Sequence, residues 1–338
     1  MLSKRNIHID VLKGIATICV IIAHASQRAN GNSQAIICKL INSFHMALFM
    51  LIAGYLFGMT IVEKQKIDLR TIEKKIKIYI WPTIIWSYII FGMRDLQFTG
   101  IQPFIQLPDS MFQFTMLLLK NPGYIIWFMW TLFVCEVVLM FAYKYFKKNI
   151  ISVCLIIEVL FILLPQNYYN MFNISYFFPL VCLGSELYLN KISLNKERLR
   201  KVIAIFAIAY ILLIALKVMM VDIKIMDMNS IIVRYMYKLC NTYLIRYALA
   251  LMCCAILLYI VKMNVFSKRV MQFLSHIGKY SLEYYVCQLL CMNITFSIRN
   301  ITLKTIVIFI NAFFIVTAII AMINRIPLLK KCLFGKSN

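Results

Sequence analysis

Charged side chains are scarce in this 338-residue sequence, and acidic ones are the scarcest. Asp, Glu, Lys and Arg make up 14% of the residues, with 13 acidic against 36 basic side chains, while 62% of the residues are hydrophobic. A soluble globular domain carries about 25% charged and about 45–50% apolar residues. The shortage of charge therefore argues against an ordinary soluble domain and predicts a polytopic membrane protein.

Other common features are also missing. The eleven cysteines include no CxxC pair, so neither a zinc site nor a disulfide framework is indicated, and no metal ligands are predicted. The net charge of +23 would suit a nucleic acid, but the basic residues lie between apolar runs rather than on a soluble face, so no nucleic-acid partner is predicted. Without a repeat or a soluble appendage, 1–338 is expected to be a single membrane domain.

The apolar runs predict an all-α bundle of about ten transmembrane helices in a lipid bilayer, since about 20 apolar residues span a membrane. The predicted spans are 8–27, 40–60, 78–93, 123–143, 149–165, 172–189, 202–220, 241–261, 280–298 and 305–324. Residues 94–123 contain three prolines and are predicted to form a loop with a re-entrant or interfacial helix. The first run resembles a signal peptide, but His8, Asp10 and Lys13 interrupt it, which favours a retained span.

The loop cations predict the orientation. One set of loops is strongly basic and the opposite set holds far fewer cations, so the positive-inside rule places both termini in the cytoplasm. The basic segments are Lys4–Arg5, Lys64–Lys77, Lys144–Lys148, Lys191–Lys201, Lys262–Lys279 and a cytoplasmic tail at 325–338.

A polar stripe runs along the first predicted span. Lys13 and His24 are eleven residues apart, which places them on one helix face with a rise of about 16 Å between them. Asp10 and Thr17 lie close to that face. Ionisable residues at membrane depth are costly and are commonly kept for chemistry or for a polar cavity. A merely structural role for His24, as a partner for a neighbouring helix, is about equally compatible with these residues.

A second histidine begins the second span on the same predicted side of the membrane. His45 follows a short connection from the first span, so the two helices are expected to be neighbours and the two histidines to approach each other. Alone, His45 would more commonly be an interfacial residue. Gly54 and Gly58 are spaced for close helix packing. Of the acids at membrane depth (Glu136, Glu158 and Glu186), Glu136 is the best candidate for a proton relay or an acceptor-site ligand, and an ion pair with an interfacial Lys is the alternative.

Several motifs resemble the integral-membrane acyltransferase family 3. Asp10–His24 is similar to its D-x-L-(R/K)-G-I-A signature followed by His, and Phe44–Tyr55 is similar to its FHMPLFFFISGY-type second helix. The basic run Ile72–Lys77, which leads to Pro82 and Trp86, is also typical. Further matches follow in order: Trp127–Phe133 (WFL-x-x-LF), Gly278–Tyr285 (G-x-x-S-L-x-x-Y) and the ending Ile326–Gly335.

The resemblance implies roles for individual residues. His24 would be the general base or a transient acyl carrier, and His45 would position the acceptor or the acyl group. Lys13, Lys74 and Lys77 would hold the phosphates of an acyl-CoA donor, with simple membrane anchoring as the alternative for the last two. Trp127 and Glu136 are predicted to contact the acceptor. Many relatives carry a His where this chain has Gln288, so Gln288 receives no catalytic role.

The function expected from this resemblance is a cytoplasmic-membrane O-acetyltransferase. It would move acetyl from cytoplasmic acetyl-CoA to a hydroxyl of a sugar, a cell-surface polysaccharide or its lipid-linked precursor, with no permanently bound cofactor and no fused partner domain. The alternatives are a transporter or flippase of a lipid-linked sugar, and an assembly subunit without catalysis. Against transport, no inverted repeat or paired helix breaks are present. The acceptor, the acyl group and the oligomeric state are left open.

Overall fold

A computed structural model describes residues 6–30, 36–62, 68–93, 107–146, 149–164, 168–190, 196–219, 244–292 and 298–336. All regular secondary structure in these ranges is helical. The helices are α1 (Ile7–Asn30), α2 (Ile36–Asn42), α3 (His45–Phe57), α4 (Leu69–Lys75), α5 (Trp81–Gly92), α6 (Met111–Lys120), α7 (Trp127–Phe146), α8 (Ile150–Leu163), α9 (Met171–Leu189), α10 (Lys196–Met219), α11 (Ile245–Lys262), α12 (Lys268–Lys279), α13 (Ser281–Cys291), α14 (Ile301–Arg325) and α15 (Pro327–Phe334).

Two π-helical turns interrupt the α-helical register. One, Gly58–Val62, extends α3, and the other, Ile76–Ile80, joins α4 to α5 without a break. The helix that contains the predicted third span therefore begins at Leu69, before the predicted span itself, because the basic run continues the helix outward. Asp68 caps α4, and hydrogen bonds from Thr71 hold the pKa of this carboxyl below its ordinary value.

Six helical stretches among the described residues are long and apolar enough to cross a membrane: Ile7–Asn30, Ile37–Val62, Trp127–Phe146, Met171–Leu189, Ile245–Lys262 and Ile301–Arg325. The other four predicted spans fall on α5, α8, α10 and α13. The total of about ten and the cytoplasmic placement of both termini stay predictions. Parts of the cationic segments used for that placement (1–5, 64–67, 147–148 and 191–195) lie outside the described residues, as does 94–106 of the proline-containing segment.

The helices that lie outside the predicted spans include α12 and α15. α12 occupies the basic loop before the ninth span, and α15 occupies the C-terminal tail. Both are short, with charged residues among apolar ones, so a search for long apolar runs passes over them. In the proline-containing segment, the ten-residue α6 agrees with the expected short helix.

The chain forms two compact units, each built from two separate stretches. The first comprises Met1–Phe49 and Ile192–Ser281. In it, α1 packs along α12, and also against α2 and α11. Glycine permits the α1–α12 approach, because a Cβ on Gly14 would lie 2.0 Å from the Leu274 carbonyl oxygen and one on Gly278 would lie 1.8 Å from that of Asp10.

The second unit comprises Met50–Lys191 and Leu282–Asn338. The segment 50–62 packs on α9, again through glycine, because a Cβ on Gly54 would lie 2.0 Å from the Val181 carbonyl oxygen. Gly58 approaches Ser185 in the same way, which confirms the close packing expected from the Gly54–Gly58 spacing. α7 packs against both α8 and α9, and α15 packs on α5.

Candidate active site

The two predicted catalytic histidines belong to the first unit and lie within electrostatic range of each other. His24 lies in the last third of α1 and is half-buried; His45 is the first residue of α3 and is 7% exposed. Their imidazoles are close enough for electrostatic interaction. The expectation that the short connection brings them together is therefore met, because α2 packs back on α1 before α3 begins.

The hydrogen bond of His45 shows which of its two ring nitrogens carries the hydrogen. Its Nδ1 lies 2.7 Å from the carbonyl oxygen of Ile41, one helical turn earlier. A carbonyl oxygen only accepts, so Nδ1 carries the hydrogen and donates it. In the neutral imidazole this leaves the lone pair on Nε2, which is the nitrogen able to accept a proton or a hydrogen bond from a hydroxyl.

Contacts from α10 and α11 hold the turn between α2 and α3. Ser43 donates to the Leu40 carbonyl, so the Tyr210 hydroxyl, 2.9 Å away, donates to the Ser43 oxygen. Cys254 of α11 lies 4.0 Å from the carbonyl oxygen of Phe44. The position of His45 therefore depends on side chains from helices far away in the sequence.

Arg246, at the start of α11, also belongs to the surroundings of His45, although no sequence motif indicated it. It interacts electrostatically with His45 and is half-buried. A charged residue within or beside an apolar run was the signal that identified Lys13, and the same signal could have identified Arg246. Its association with His45 was not predictable, because it depends on the packing of α11.

Lys13 lies on the same helix as His24, near the opposite end. It is half-buried, and Thr17 donates to its carbonyl oxygen at 2.8 Å. The rise between Lys13 and His24 is about 16 Å, as expected for one straight helix. The described geometry therefore keeps the polar stripe intact, and the role of Lys13 in donor binding stays a prediction.

Lys74 and Lys77 belong to the second unit and lie on its surface. Lys74 is exposed, and Lys77 forms an exposed i,i+4 ion pair with Glu73 at 2.5 Å. The hydrogen bond from Lys77 holds the pKa of Glu73 below its ordinary value. Both ammonium groups are thus accessible to a ligand in solution, as phosphate binding requires.

Lys75, between them, is the buried cation of the run. It pairs with Glu136 of α7, and the two side chains are only 12% and 5% exposed. The Lys75 ammonium also lies 5.7 Å from the centre of the Phe57 ring and 5.9 Å from that of Tyr79. The structure therefore shows Glu136 in an ion pair with a lysine, which was the alternative role for this residue. A contact between Glu136 and the acceptor stays a prediction.

Trp127 is not next to Glu136, although both lie on α7. Nine residues separate them, a rise of about 14 Å. The Trp127 ring stacks on Phe177 at 5.7 Å between centres, and its carbonyl accepts from Asn170 at 3.3 Å. Packing alone therefore accounts for the presence of Trp127 at the start of α7. A contact between Trp127 and the substrate stays a prediction.

Two buried polar groups on α13 were given no role by the sequence. Gln288 is fully buried and its Nε2 donates to the Tyr285 carbonyl at 3.3 Å. Glu283 is 1% exposed and pairs with Lys336 at 2.5 Å. Within the described part of the chain, no group of three or more His, Cys, Asp or Glu side chains is arranged to hold a metal ion.

Comparison with known proteins identifies the family. Residues 6–325 match the acyltransferase domain of family 3. Nodulation protein NolL of Mesorhizobium japonicum (strain LMG 29417 / CECT 9101 / MAFF 303099) is 34% identical over 105 residues, which cover 28% of this chain and 28% of that protein. No solved structure matches the chain. Because the family match extends over nearly the whole sequence and the helices include six able to span a membrane, this protein belongs to the integral-membrane acyltransferase family 3.

Proposed function

We propose that this acyltransferase is an O-acetyltransferase of the cytoplasmic membrane. It takes acetyl from acetyl-CoA on the cytoplasmic side and transfers it to a hydroxyl of a sugar, as part of the biosynthesis of a cell-envelope polysaccharide or its lipid-linked precursor. The observation that carries this proposal is that half-buried His24 and buried His45 lie within electrostatic range of each other, and that the His45 imidazole has a defined acceptor nitrogen.

In the proposed reaction the histidine pair takes part in proton transfer. The acceptor hydroxyl gives its proton to an imidazole while its oxygen attacks the thioester carbonyl; the carbon–sulfur bond then breaks, and the CoA sulfur leaves and takes up a proton. In this proposal His24 is the base, or carries the acetyl group transiently. His45 accepts a hydrogen bond from the acceptor hydroxyl at Nε2 and orients it.

The lysines are assigned to the donor. CoA carries several phosphate charges, and the exposed ammonium groups of Lys74 and Lys77 suit them as point charges. Lys13 is assigned to the same task at the cytoplasmic end of α1. Arg is the commoner residue at that position in the family, so Lys13 would bind without the bidentate geometry of a guanidinium.

The test uses the full chain, purified in detergent and reconstituted in liposomes. We expect acetyl-CoA to bind and, with cell-envelope glycans present, to be consumed with release of one free thiol per acetyl group transferred. Mass spectrometry of the glycans from cells with and without the gene identifies the acceptor by an increment of one acetyl group. Succinyl-CoA, offered in competition, tests the choice of acyl group.

Two outcomes would reject the proposal. A His24→Ala protein that folds, inserts and transfers acetyl at the normal rate would remove His24 from the mechanism. A chain that binds no acetyl-CoA but moves a lipid-linked sugar across liposomes would favour the flippase alternative instead.

A further inference from the structure

The short helix α12 begins close to the end of a helix that can cross a membrane. α11, one of the six long apolar helices, ends at Lys262, and only residues 263–267 separate it from α12. Asn264, with a φ of +50°, turns the chain there, and the imidazole Nε2 of His8 donates to its side-chain oxygen at 3.2 Å. Ser267 then caps α12. The turn is thus fixed to the start of α1, and α12 lies near one end of two long apolar helices.

One face of α12 is used for packing within the first unit. Met271, Leu274 and Ile277 are buried, and Gly278 lets the backbone of α12 come close to that of α1 at Asp10. In an amphipathic helix that lies alone on a membrane, this apolar face would enter the lipid. Here α1 covers it, so any further partner of α12 binds to the remaining surface.

The opposite face of α12 is polar and largely basic. Its five residues are all exposed: Lys268, Arg269, Gln272, His276 and Lys279. At about 100° per residue they fall within an arc of about 100° on the far side from the buried residues. The sequence has no Asp or Glu between Asp227 and Glu283, so α12 itself carries no acidic side chain to neutralise this face.

An exposed apolar edge lies between the buried face and the basic face. Val270 and Phe273, one turn apart, are 41% and 53% exposed, and Val265, just before the helix, is 67% exposed. Arg269 and His276 border this edge on the basic side. Apolar side chains beside cations are the arrangement of a helix at a membrane surface, where the first contact acyl chains and the second contact headgroups.

The distribution of the cations indicates the kind of partner. Lys268 and Lys279 are eleven residues apart, a rise of about 16 Å, so a single phosphate group cannot contact both. A surface that carries several phosphates can. A nucleic acid or an acidic protein would leave Val270 and Phe273 in water, whereas a lipid leaflet offers phosphates to the cations and acyl chains to the apolar edge. The lipid leaflet therefore fits the whole exposed surface of α12.

We infer that α12 binds anionic phospholipids at the membrane surface. Lys268, Arg269 and Lys279 contact the headgroup phosphates, and Val270 and Phe273 lie among the outermost acyl-chain carbons. The predicted orientation places this contact at the cytoplasmic leaflet, where clusters of basic residues next to a span bind anionic lipids. The inference goes beyond the proposed acetyl transfer and does not depend on it. Because α12 packs along α1, bound lipid also stabilises the helix that carries the two predicted site residues of the polar stripe.

The test compares two lipids that share their acyl chains and differ in headgroup charge. The full chain, purified in a neutral detergent, is titrated with dioleoyl phosphatidylglycerol or dioleoyl phosphatidylcholine, and native mass spectrometry measures the bound lipid. We expect the wild type to bind the anionic lipid at least tenfold more tightly. In Lys268→Gln/Arg269→Gln/Lys279→Gln the Kd of phosphatidylglycerol should rise about a hundredfold, at about fivefold per cation, and that of phosphatidylcholine should stay within twofold.

A second variant tests the apolar edge. Phe273→Gln removes the largest exposed apolar side chain of α12 and leaves its cations in place. Because both lipids have the same acyl chains, we expect the two dissociation constants to rise together, by about tenfold. Phe273→Gln with unchanged affinity for both lipids would contradict the placement of this edge in the leaflet.

The matched control removes the same amount of charge from elsewhere in the chain. Arg70→Gln/Lys144→Gln/Arg299→Gln takes three exposed cations from three separate places. It should leave the Kd of phosphatidylglycerol within twofold. Thermal unfolding in detergent shows that each variant is folded, and phosphatidylglycerol should raise the unfolding temperature of the wild type and the control more than that of the α12 triple variant.

The outcomes separate lipid binding from the other uses of a basic face. Equal affinity of the wild type for both lipids, or equal weakening in the control and the α12 triple variant, would overturn the inference. A triple variant that keeps its affinity for phosphatidylglycerol but loses affinity for CoA would also overturn it, and would assign the face to the donor site. If phosphatidylglycerol binds as inferred while the chain consumes no acetyl-CoA, only the proposed function fails.

Discussion

The His45 imidazole donates from Nδ1 to the Ile41 carbonyl oxygen, which leaves Nε2 for the acceptor hydroxyl. A substitution can therefore remove Nε2 and keep the hydrogen bond that orients the side chain. In His45→Asn the side-chain amide nitrogen takes the place of Nδ1 and preserves the bond to Ile41, but no atom replaces Nε2. We therefore expect near-normal thermal stability with transfer reduced by about 10²-fold, the cost of misplacing the acceptor hydroxyl that His45 orients. Measurement of acetyl transfer alongside the unfolding temperature checks this.

A matched control comes from the contact that supports the same turn. Tyr210→Phe removes one hydrogen bond to Ser43 and should cost about 0.5–1.5 kcal/mol of stability with only a few-fold loss of transfer. Equal activity losses in the two variants would mean that His45 matters only for the shape of the turn.

The buried Lys75–Glu136 pair gives a second prediction for single residues. Lys75→Met leaves a carboxylate buried without its cation, and breaking such a pair costs about 3–5 kcal/mol. Adding Glu136→Leu removes the remaining charge and should restore much of the lost stability. Thermal unfolding of the single and double variants measures this coupling.

Activity of the double variant distinguishes the two interpretations of Glu136. If stability and transfer both return, Glu136 is structural. If stability returns while the KM for the acceptor stays raised, Glu136 also contacts the acceptor, as the sequence predicted. A double variant no more stable than Lys75→Met would contradict the ion-pair account.

Within each unit, two helices pack closely at positions where glycine leaves the backbone uncovered. In the first unit, α12 lies across α1 at Gly14 and Gly278, and this contact holds the helix that carries Lys13 and His24. In the second unit, Gly54 and Gly184 bring 50–62 and α9 together; a Cβ on Gly184 would lie 2.1 Å from the Leu51 carbonyl oxygen. Backbone atoms cannot move aside as side chains do, so these sites tolerate no larger residue.

Gly14→Ala should therefore destabilise the protein by about 1–3 kcal/mol through overpacking, despite the better helix propensity of alanine. Gly92→Ala is the matched control, because a Cβ there meets nothing within 4 Å, and it should be neutral or slightly stabilising. The unfolding temperatures in detergent provide the comparison. If Gly14→Ala proves as stable as Gly92→Ala, the tight α1–α12 contact is wrong.

For the whole molecule, the predicted orientation places the C-terminal helix in the cytoplasm. Cys332 on α15 is exposed, whereas the other described cysteines are buried or half-buried, so it is a natural reporter of topology. A membrane-impermeant maleimide should label Cys332 in inverted vesicles but not in intact cells, and Cys332→Ser should lose that signal.

Arg299→Cys in the Cys332→Ser background supplies the opposite control. Residue 299 is exposed just before α14 and lies on the predicted outer side, so it should be labelled in intact cells. The reverse pattern at the two positions would overturn the positive-inside assignment.

Apolar periodicity and loop charge in the sequence were enough to predict helices, their approximate positions and a membrane environment. The ordered motifs were enough to predict the family, which the match over 6–325 confirms. These properties follow from local composition, since each span must satisfy its own backbone in lipid whatever its neighbours are. Short helices such as α12 and α15 escaped because their apolar residues are too few, and too mixed with charged ones, to form a long apolar run.

The sequence by itself determined that Lys13 and His24 share one helix face, because helical spacing alone decides this. Only the tertiary structure decided which distant residues interact: Arg246 electrostatically with His45, Lys75 rather than Lys74 or Lys77 with Glu136, and Lys336 with Glu283. The physical reason is that each of these contacts joins residues at least 50 positions apart, and depends on close helix packing that no local pattern encodes.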